Sequence, residues 1–264
     1  MSGYTATVPP NSFKAALRDG RPQIGLWSSL CSNLVAELLA NTGYDWIVVD
    51  TEHAPNDPAD VLAQLQAMNG GSAEPMVRVP WNDPVLIKRI LDIGGRTLLV
   101  PFVQSAEEAR NAVAATRYPP RGIRGVSVAQ RANRFGRVPG YLQNAERDIC
   151  VVVQLETRAA MGEIEAIAAV DGIDGLFIGP GDLSADLGHL GNPAHPEVQA
   201  AIADGCRRIR AAGKPAGILA PVEADALRYF EMGFSYVAIG SDVGLLAASS
   251  AAVLSRMREA TGQS

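Results

Sequence analysis

Eight short apolar runs, separated by stretches of helical periodicity, constrain the fold more tightly than any other feature of this chain. They occupy residues 24–27, 46–49, 76–79, 97–100, 150–155, 175–178, 216–219 and 236–239. Several are apolar almost throughout rather than alternating, the pattern of strands covered on both faces. The intervals carry helix caps. Asp57-Pro58 precedes "ADVLAQLQAM", Asp83-Pro84 precedes "VLIKRILDIG", and His195-Pro196 precedes "EVQAAIADGCRRIRAAG". Ser105, with Glu108 three residues on, reads as a capping box. Eight strands alternating with helices predict an α/β fold, a single-domain (β/α)8 TIM-type barrel over residues 1–264; a doubly wound open sheet is the competitor. Residues 242–257 read as a last helix packing on its own barrel. The long irregular interval at about 118–146 reads as a lid or an interface arm.

Composition narrows the classes. Hydrophobic residues make up 47% and charged residues 19%, so the charged surface is sparse and leaves room for oligomer interfaces. The net charge of -5, with no basic block longer than two residues, argues against a nucleic-acid partner. Three scattered cysteines suggest reduced thiols in a cytosolic protein. Neither a stretch of transmembrane length nor a signal-peptide pattern is read, so the expectation is a cytoplasmic protein without a membrane partner.

Barrel active sites form where the strands end. The second run ends in Asp50-Thr51-Glu52-His53, the third contains Arg78, the fifth ends in Gln154-Leu155-Glu156, and the sixth leads into Gly179-Pro180-Gly181-Asp182. Glu156 and Asp182 make a pair of oxygen ligands suited to Mg²⁺ or Mn²⁺, with Co²⁺ as a further candidate. A 2-keto acid would complete the coordination, and the metal would stabilise its enolate. Arg78 would add charge where the enolate oxygen develops. His53 is the acid–base group, with Asp50 to orient or tune it. Blander readings stand beside these: Arg78 as a structural ion-pair partner, Glu156 paired with Arg158, Asp182 as the N-cap of "LSADLG", His53 as a loop histidine. His189 and His195 flank turns and read as surface or lid residues. Only three of the 23 basic residues are lysines, namely Lys14, Lys88 and Lys214. None is placed to form the imine of a Schiff-base aldolase.

The strings "GLWSSL", "DWIVVDTEHAPND", "VRVPWNDP", "LDIGGRTLLVPFVQSAEEAR", "ATRYPPRGIRGV", "VVVQLETRAA", "FIGPGDLSADLG", "GNPAHPEVQ" and "VAIGSD" occur in collinear order. In these the chain resembles the HpcH/HpaI aldolase family, in the branch of the 4-hydroxy-2-oxoheptanedioate and 2-dehydro-3-deoxyglucarate aldolases. The resemblance implies a divalent-metal-dependent pyruvate aldolase, of a kind that serves aromatic compound catabolism. It implies Glu156 and Asp182 as the metal pair, and Arg78 as the group holding the pyruvate keto oxygen. His53 would be the relay histidine, supported by Asp50 and, across a subunit boundary, by Asp92. The backbone at Gly181 and Asp182 would meet the pyruvate carboxylate. It further implies a last helix exchanged between partners in a homohexamer, a trimer of dimers. Thr51 stands where the family commonly has glycine, Gly181 where alanine is common, and "RVPW" replaces "RPSW".

The expected reaction is reversible cleavage of a 4-hydroxy-2-oxo acid to pyruvate and an aldehyde. Arg121, Arg124 and Arg131 of the 118–146 interval are candidates for binding an acidic end of the acceptor. The alternatives are an acyl-CoA lyase of the malyl-CoA or citryl-CoA type, and a non-catalytic oligomeric barrel.

Overall fold

The computed structural model describes residues 5–263. Its strands are β1 (Gln23–Ser28), β2 (Trp46–Asp50), β3 (Glu74–Arg78), β4 (Thr97–Val100), β5 (Cys150–Leu155), β6 (Gly175–Ile178), β7 (Ala216–Leu219) and β8 (Tyr236–Ser241). Each pairs in parallel with its sequence neighbour, and β8 closes on β1, completing the expected barrel. The first six helices are α1 (Ser12–Arg18), α2 (Asn33–Ala40), α3 (Pro58–Ala67), α4 (Pro84–Asp92), α5 (Ala106–Thr116) and the short α6 (Tyr141–Asn144). There follow α7 (Arg158–Gly162), α8 (Ile164–Ala168), α9 (Pro180–Asp186), α10 (Pro196–Ala211), α11 (Glu223–Met232) and α12 (Asp242–Thr261). Four strands keep the bounds of their apolar runs. The third begins earlier, at Glu74, because that carboxylate is bound by Arg96 at 2.8 and 3.0 Å and so tolerates burial.

Successive strand residues face opposite sides of a sheet. Ile47, Val49, Val77, Val151, Val153, Leu176 and Ile178 point outward and pack under the helices. Trp46, Val48, Met76, Val152, Phe177 and Tyr236 fill the barrel interior. Asp50, Arg78, Gln154 and Glu156 continue the inward series on β2, β3 and β5. The register that builds the inner core therefore also sets the polar groups at the mouth.

The opposite end is closed. α1 seats Phe13 against Trp46 and Tyr236, at ring distances of 5.6 and 5.4 Å, and Asn11 Nδ2 donates to Thr97 Oγ1 at 2.8 Å. Glycines make room for the rings: a methyl group on Gly217 would lie 2.0 Å from the Tyr236 ring. All three lysines lie away from the mouth. Lys14 on α1 pairs with Asp174 at 3.2 Å, Lys214 donates to the Ile173 carbonyl at 2.6 Å, and Lys88 is midway along α4. Imine chemistry has no lysine to use there.

Two expectations change. The last helix does not pack on its own barrel: every residue from Val243 to Thr261 is exposed. Its hold on the barrel is Asp242, whose carboxylate accepts from Ser28 Oγ and from the Ser29 and Leu30 amides at 2.9–3.1 Å. The three arginines of the 118–146 segment do not face their own mouth. Arg124 is fully buried against Asp92 at the end of α4, Arg131 donates to the Ile93 carbonyl at 2.7 Å, and Arg121 pairs with Glu146. The three arginines proposed for an acceptor group are thus engaged toward the closed end of their own subunit. The Ser105 cap also differs in detail, since Glu108 accepts from the Gln104 amide rather than from Ser105.

Because Tyr236 is fully buried and its hydroxyl is tied to the Leu176 carbonyl at 2.8 Å, it has no room to yield. Gly217→Ala should cost about 1–3 kcal/mol by overpacking. Thermal denaturation should show a midpoint lowered by several degrees, whereas Gly162→Ala, where a methyl group would meet nothing within 4 Å, should change it by less.

Candidate active site

Asp50 ends β2 inside the barrel and takes Arg78 of β3 in a two-point grip. Nε lies 2.9 Å from Oδ1 and Nη2 2.7 Å from Oδ2. Both residues are buried, so the pair is held without competition from water. Asp50 also accepts from the backbone amides of Glu52 and His53 at 3.0 and 3.3 Å. Burial works to raise its carboxyl pKa. The Arg78 bond and charge, with those two amides, override burial and leave it below the ordinary carboxylate value. Trp27 lies under the guanidinium, its ring centre 5.1 Å from Cζ. Thr51, the departure from glycine, adds a brace that glycine lacks: its hydroxyl donates to the Arg78 carbonyl at 2.6 Å.

Glu52 is the site residue that the strand-end reading passed over. Its Oε2 lies 2.8 Å from Arg78 Nη1, and its Oε1 lies 4.0 Å from His53 Nε2. Burial raises its pKa, and the negative charges of Asp50 and Asp182 add to this. The clue was its place between Asp50 and His53 in the same quoted string.

Glu156 follows β5 and is buried. Oε1 accepts from Gln154 Nε2 at 2.6 Å, and Oε2 from the Phe102 amide at 2.9 Å. Phe102 donates that bond from a left-handed backbone, φ 55°, a conformation costing a non-glycine residue about 1–2 kcal/mol. Gly179 is also required here, because a methyl group on it would lie 2.5 Å from Glu156 Oε1. Burial first, then the charges of Asp182 and Glu52, push Glu156 up to about 7, against the pull of the Phe102 amide. Asp182 lies exposed in the first turn of α9, whose N-cap is Gly179, so Asp182 is not itself the cap.

Asp50, Glu52, Glu156 and Asp182 thus influence one another around one guanidinium, Arg78. Four carboxylates against one fixed positive charge form a donor set of hard oxygens short of cations, which fits a divalent ion at Glu156 and Asp182. His53 stands at the edge of this group with 64% of its side chain exposed. Asp50 touches its backbone amide and not its ring. Asp92 is not in the mouth of its own barrel: it ends α4 and accepts from Arg124 Nη2 at 2.7 Å. Trp81 and Phe102 stack at 5.8 Å, with Trp81 exposed. Nothing lies within 4 Å of where a Gly181 methyl group would stand, so glycine there leaves open space.

A second candidate site for a divalent metal lies apart from this group. Among the described residues, His189, His195 and Glu197 bring three possible ligand atoms within 4.8 Å of one another.

The family model described as HpcH/HpaI aldolase/citrate lyase matches residues 23–249. The chain belongs to this family. It is 58% identical over 247 residues to the 4-hydroxy-2-oxo-heptane-1,7-dioate aldolase of Salmonella dublin, covering 93% of this chain and 94% of that one. Among solved structures, an HpcH/HpaI aldolase/citrate lyase family protein from Burkholderia cenocepacia J2315 superposes with a TM-score of 0.91. It is 44% identical and covers 94% of this chain and 99% of its own. The citrate synthase SbnG superposes at 0.85 with 26% identity, covering 95% and 99%. No helix among the described residues is long and apolar enough to cross a membrane.

A cation that takes Glu156 must displace its proton. Metal affinity should therefore rise with pH up to about 7 and level off above it, falling about tenfold per unit below. The folded chain keeps this proton where the unfolded chain, near 4.5, has lost it. Metal-free protein should accordingly lose stability as pH rises between those values. Calorimetric titration of chelator-stripped protein with Mn²⁺ checks the first effect, and a flat pH profile would remove Glu156 from the ligand set.

Proposed function

We propose that this family member is a divalent-metal-dependent aldolase that cleaves 4-hydroxy-2-oxo acids to pyruvate and an aldehyde. The observation that carries this reading is Arg78, locked by Asp50, at the same mouth as the cation-deficient pair Glu156 and Asp182. The high identity to a 4-hydroxy-2-oxo-heptane-1,7-dioate aldolase supports the substrate class. The mouth presents carboxylates rather than the cationic groove that an acyl-CoA's phosphates would need, which disfavours the lyase alternative.

Glu156 and Asp182 would hold Mg²⁺, Mn²⁺ or Co²⁺, and the bound ion would supply a Lewis acid for the 2-oxo acid end of the substrate. Arg78 donates to the C2 oxygen, where negative charge develops as the C3–C4 bond breaks. Its orientation is prepaid by Asp50, so little reorganisation is needed at that moment. His53 takes the proton leaving the 4-hydroxyl, and a proton returned to C3 converts the remaining enolate to pyruvate. The backbone at Gly181 and Asp182 meets the substrate carboxylate, and the space beside Gly181 belongs to the acceptor side.

The exposed His53 ring and the distant Asp92 are reconciled by a second copy, whose Asp92 would support this histidine. An exchanged α12 belongs to the same reading. In a barrel, the helix after β8 ordinarily covers β8 and β1; here the outward Ile24 of β1 is 43% exposed. The flanking helices leave Leu34 and Leu38 of α2 and Leu227 of α11 uncovered. On α12, Leu245, Leu246, Val253, Leu254 and Met257 are all exposed. Apolar surface of this extent on both helix and gap matches an exchange between subunits of a homohexamer.

Two experiments test these readings. In a coupled pyruvate-release assay over several 4-hydroxy-2-oxo acids, chelation or Glu156→Ala should abolish turnover. Arg78→Ala should lower kcat by about 10²- to 10³-fold. Undiminished activity after chelation would overturn the metal assignment. For the assembly, Leu246→Asp with Leu254→Asp should shift light-scattering mass from hexamer toward monomer; an unchanged mass would place the interface elsewhere.

A further inference from the structure

We propose that His189, His195 and Glu197 bind a second metal ion, of the zinc class, on the rim of the barrel and apart from the Glu156–Asp182 pair. The loop 187–195 joins α9, which carries Asp182, to α10. Its backbone folds back on itself: His189 donates to the Ser184 carbonyl at 2.7 Å, Asn192 to His189 at 2.9 Å, and His195 to Asn192 at 3.1 Å. This brings two imidazoles, six residues apart, face to face at 3.4 Å with an interplanar angle of 17°.

Glu197, in the first turn of α10, completes the group. Its Oε2 lies 2.9 Å from His189 Nε2, and its amide donates to His195 Nδ1 at 3.2 Å. Arg158 Nη2 reaches Glu197 Oε1 at 3.3 Å, so the carboxylate is oriented from behind as an outer partner orients a metal ligand. The three ligand atoms already lie within 4.8 Å of one another. Tetrahedral zinc, with bonds of about 2.0–2.2 Å, needs them about 3.3 Å apart. Imidazole lone pairs lie in the ring plane, so the stack must open into a wedge around the ion. Rotation about the Cβ–Cγ bonds is the motion that would open it. The long cap bond at His195 yields where its Nδ1 is the ligand atom.

The donor types separate the two sites. Two imidazole nitrogens and one carboxylate suit Zn²⁺, Ni²⁺ or Cu²⁺, whereas an all-oxygen pair suits Mg²⁺ or Mn²⁺. The ion would pin the α9–α10 loop to the start of α10.

The test uses full-length, chelator-stripped protein titrated calorimetrically with Zn²⁺ under excess Mg²⁺, which occupies the mouth. Wild type and Glu156→Ala should each bind one Zn²⁺ per subunit. His189→Ala and His195→Asn should each weaken this by tenfold or more; asparagine keeps the helix cap while removing the imidazole. Zn²⁺ should also raise the thermal midpoint of wild type but not of the histidine variants. A Co²⁺ absorption spectrum should show a tetrahedral band lost in the same variants. No zinc uptake under excess Mg²⁺, or uptake unchanged in both histidine variants, would overturn the site and leave a helix cap beside a surface ion pair.

Discussion

Burying Glu156 beside other carboxylates is the constraint on which the mouth of this barrel depends. A carboxylate out of water is stable only if protonated, paired or coordinated. Arg78 cannot neutralise it, because Asp50 and Glu52 already occupy much of its guanidinium. The Phe102 amide helps, at the expense of a left-handed backbone, and Gly179 gives up its side chain to make room. These concessions share one beneficiary. They hold Glu156 in one place with a raised pKa, a poor arrangement for an empty protein and a good one for a cation.

The grip of Asp50 on Arg78 depends on both residues standing where a buried strand runs out. Two residues on neighbouring strands, registered directly opposite one another, both face inward one step beyond Val48 and Met76. The apolar layer below excludes water from the pair's inner side, and the mouth leaves the other side open. Removing either partner would strand a buried charge, so each fixes the other. The strand pairing thereby supplies orientation that a loop-borne arginine would have to gain on substrate binding.

Strand positions, helix caps and the place of Glu156 at the end of β5 were legible because each depends on local chemistry: apolar runs, Pro and Asp at helix starts, a carboxylate closing a strand. Partner choice was not. Asp50 read as support for His53 because the two are three residues apart, yet the ring points out and Arg78, twenty-eight residues on, takes the carboxylate. Glu52 escaped notice because its role is set by Arg78 and Asp182 rather than by its neighbours in the chain. The tail was legible as a helix but not in its placement. Val243, Leu246, Val253, Leu254 and Met257 recur at helical spacing along one face of α12, but a stripe alone does not tell which surface it covers.

That stripe bears on the assembly. An apolar stripe needs a surface to cover it, and the stripe on α12 is not covered by its own barrel. Asp242 fits this arrangement, since it fastens the helix start to the β1–α2 turn while the rest leaves the barrel. The single chain thus closes a complete barrel while leaving its β8–β1 flank uncovered and the His53 ring exposed. The proposed exchange would cover the first, and the Asp92 of a second copy would support the second.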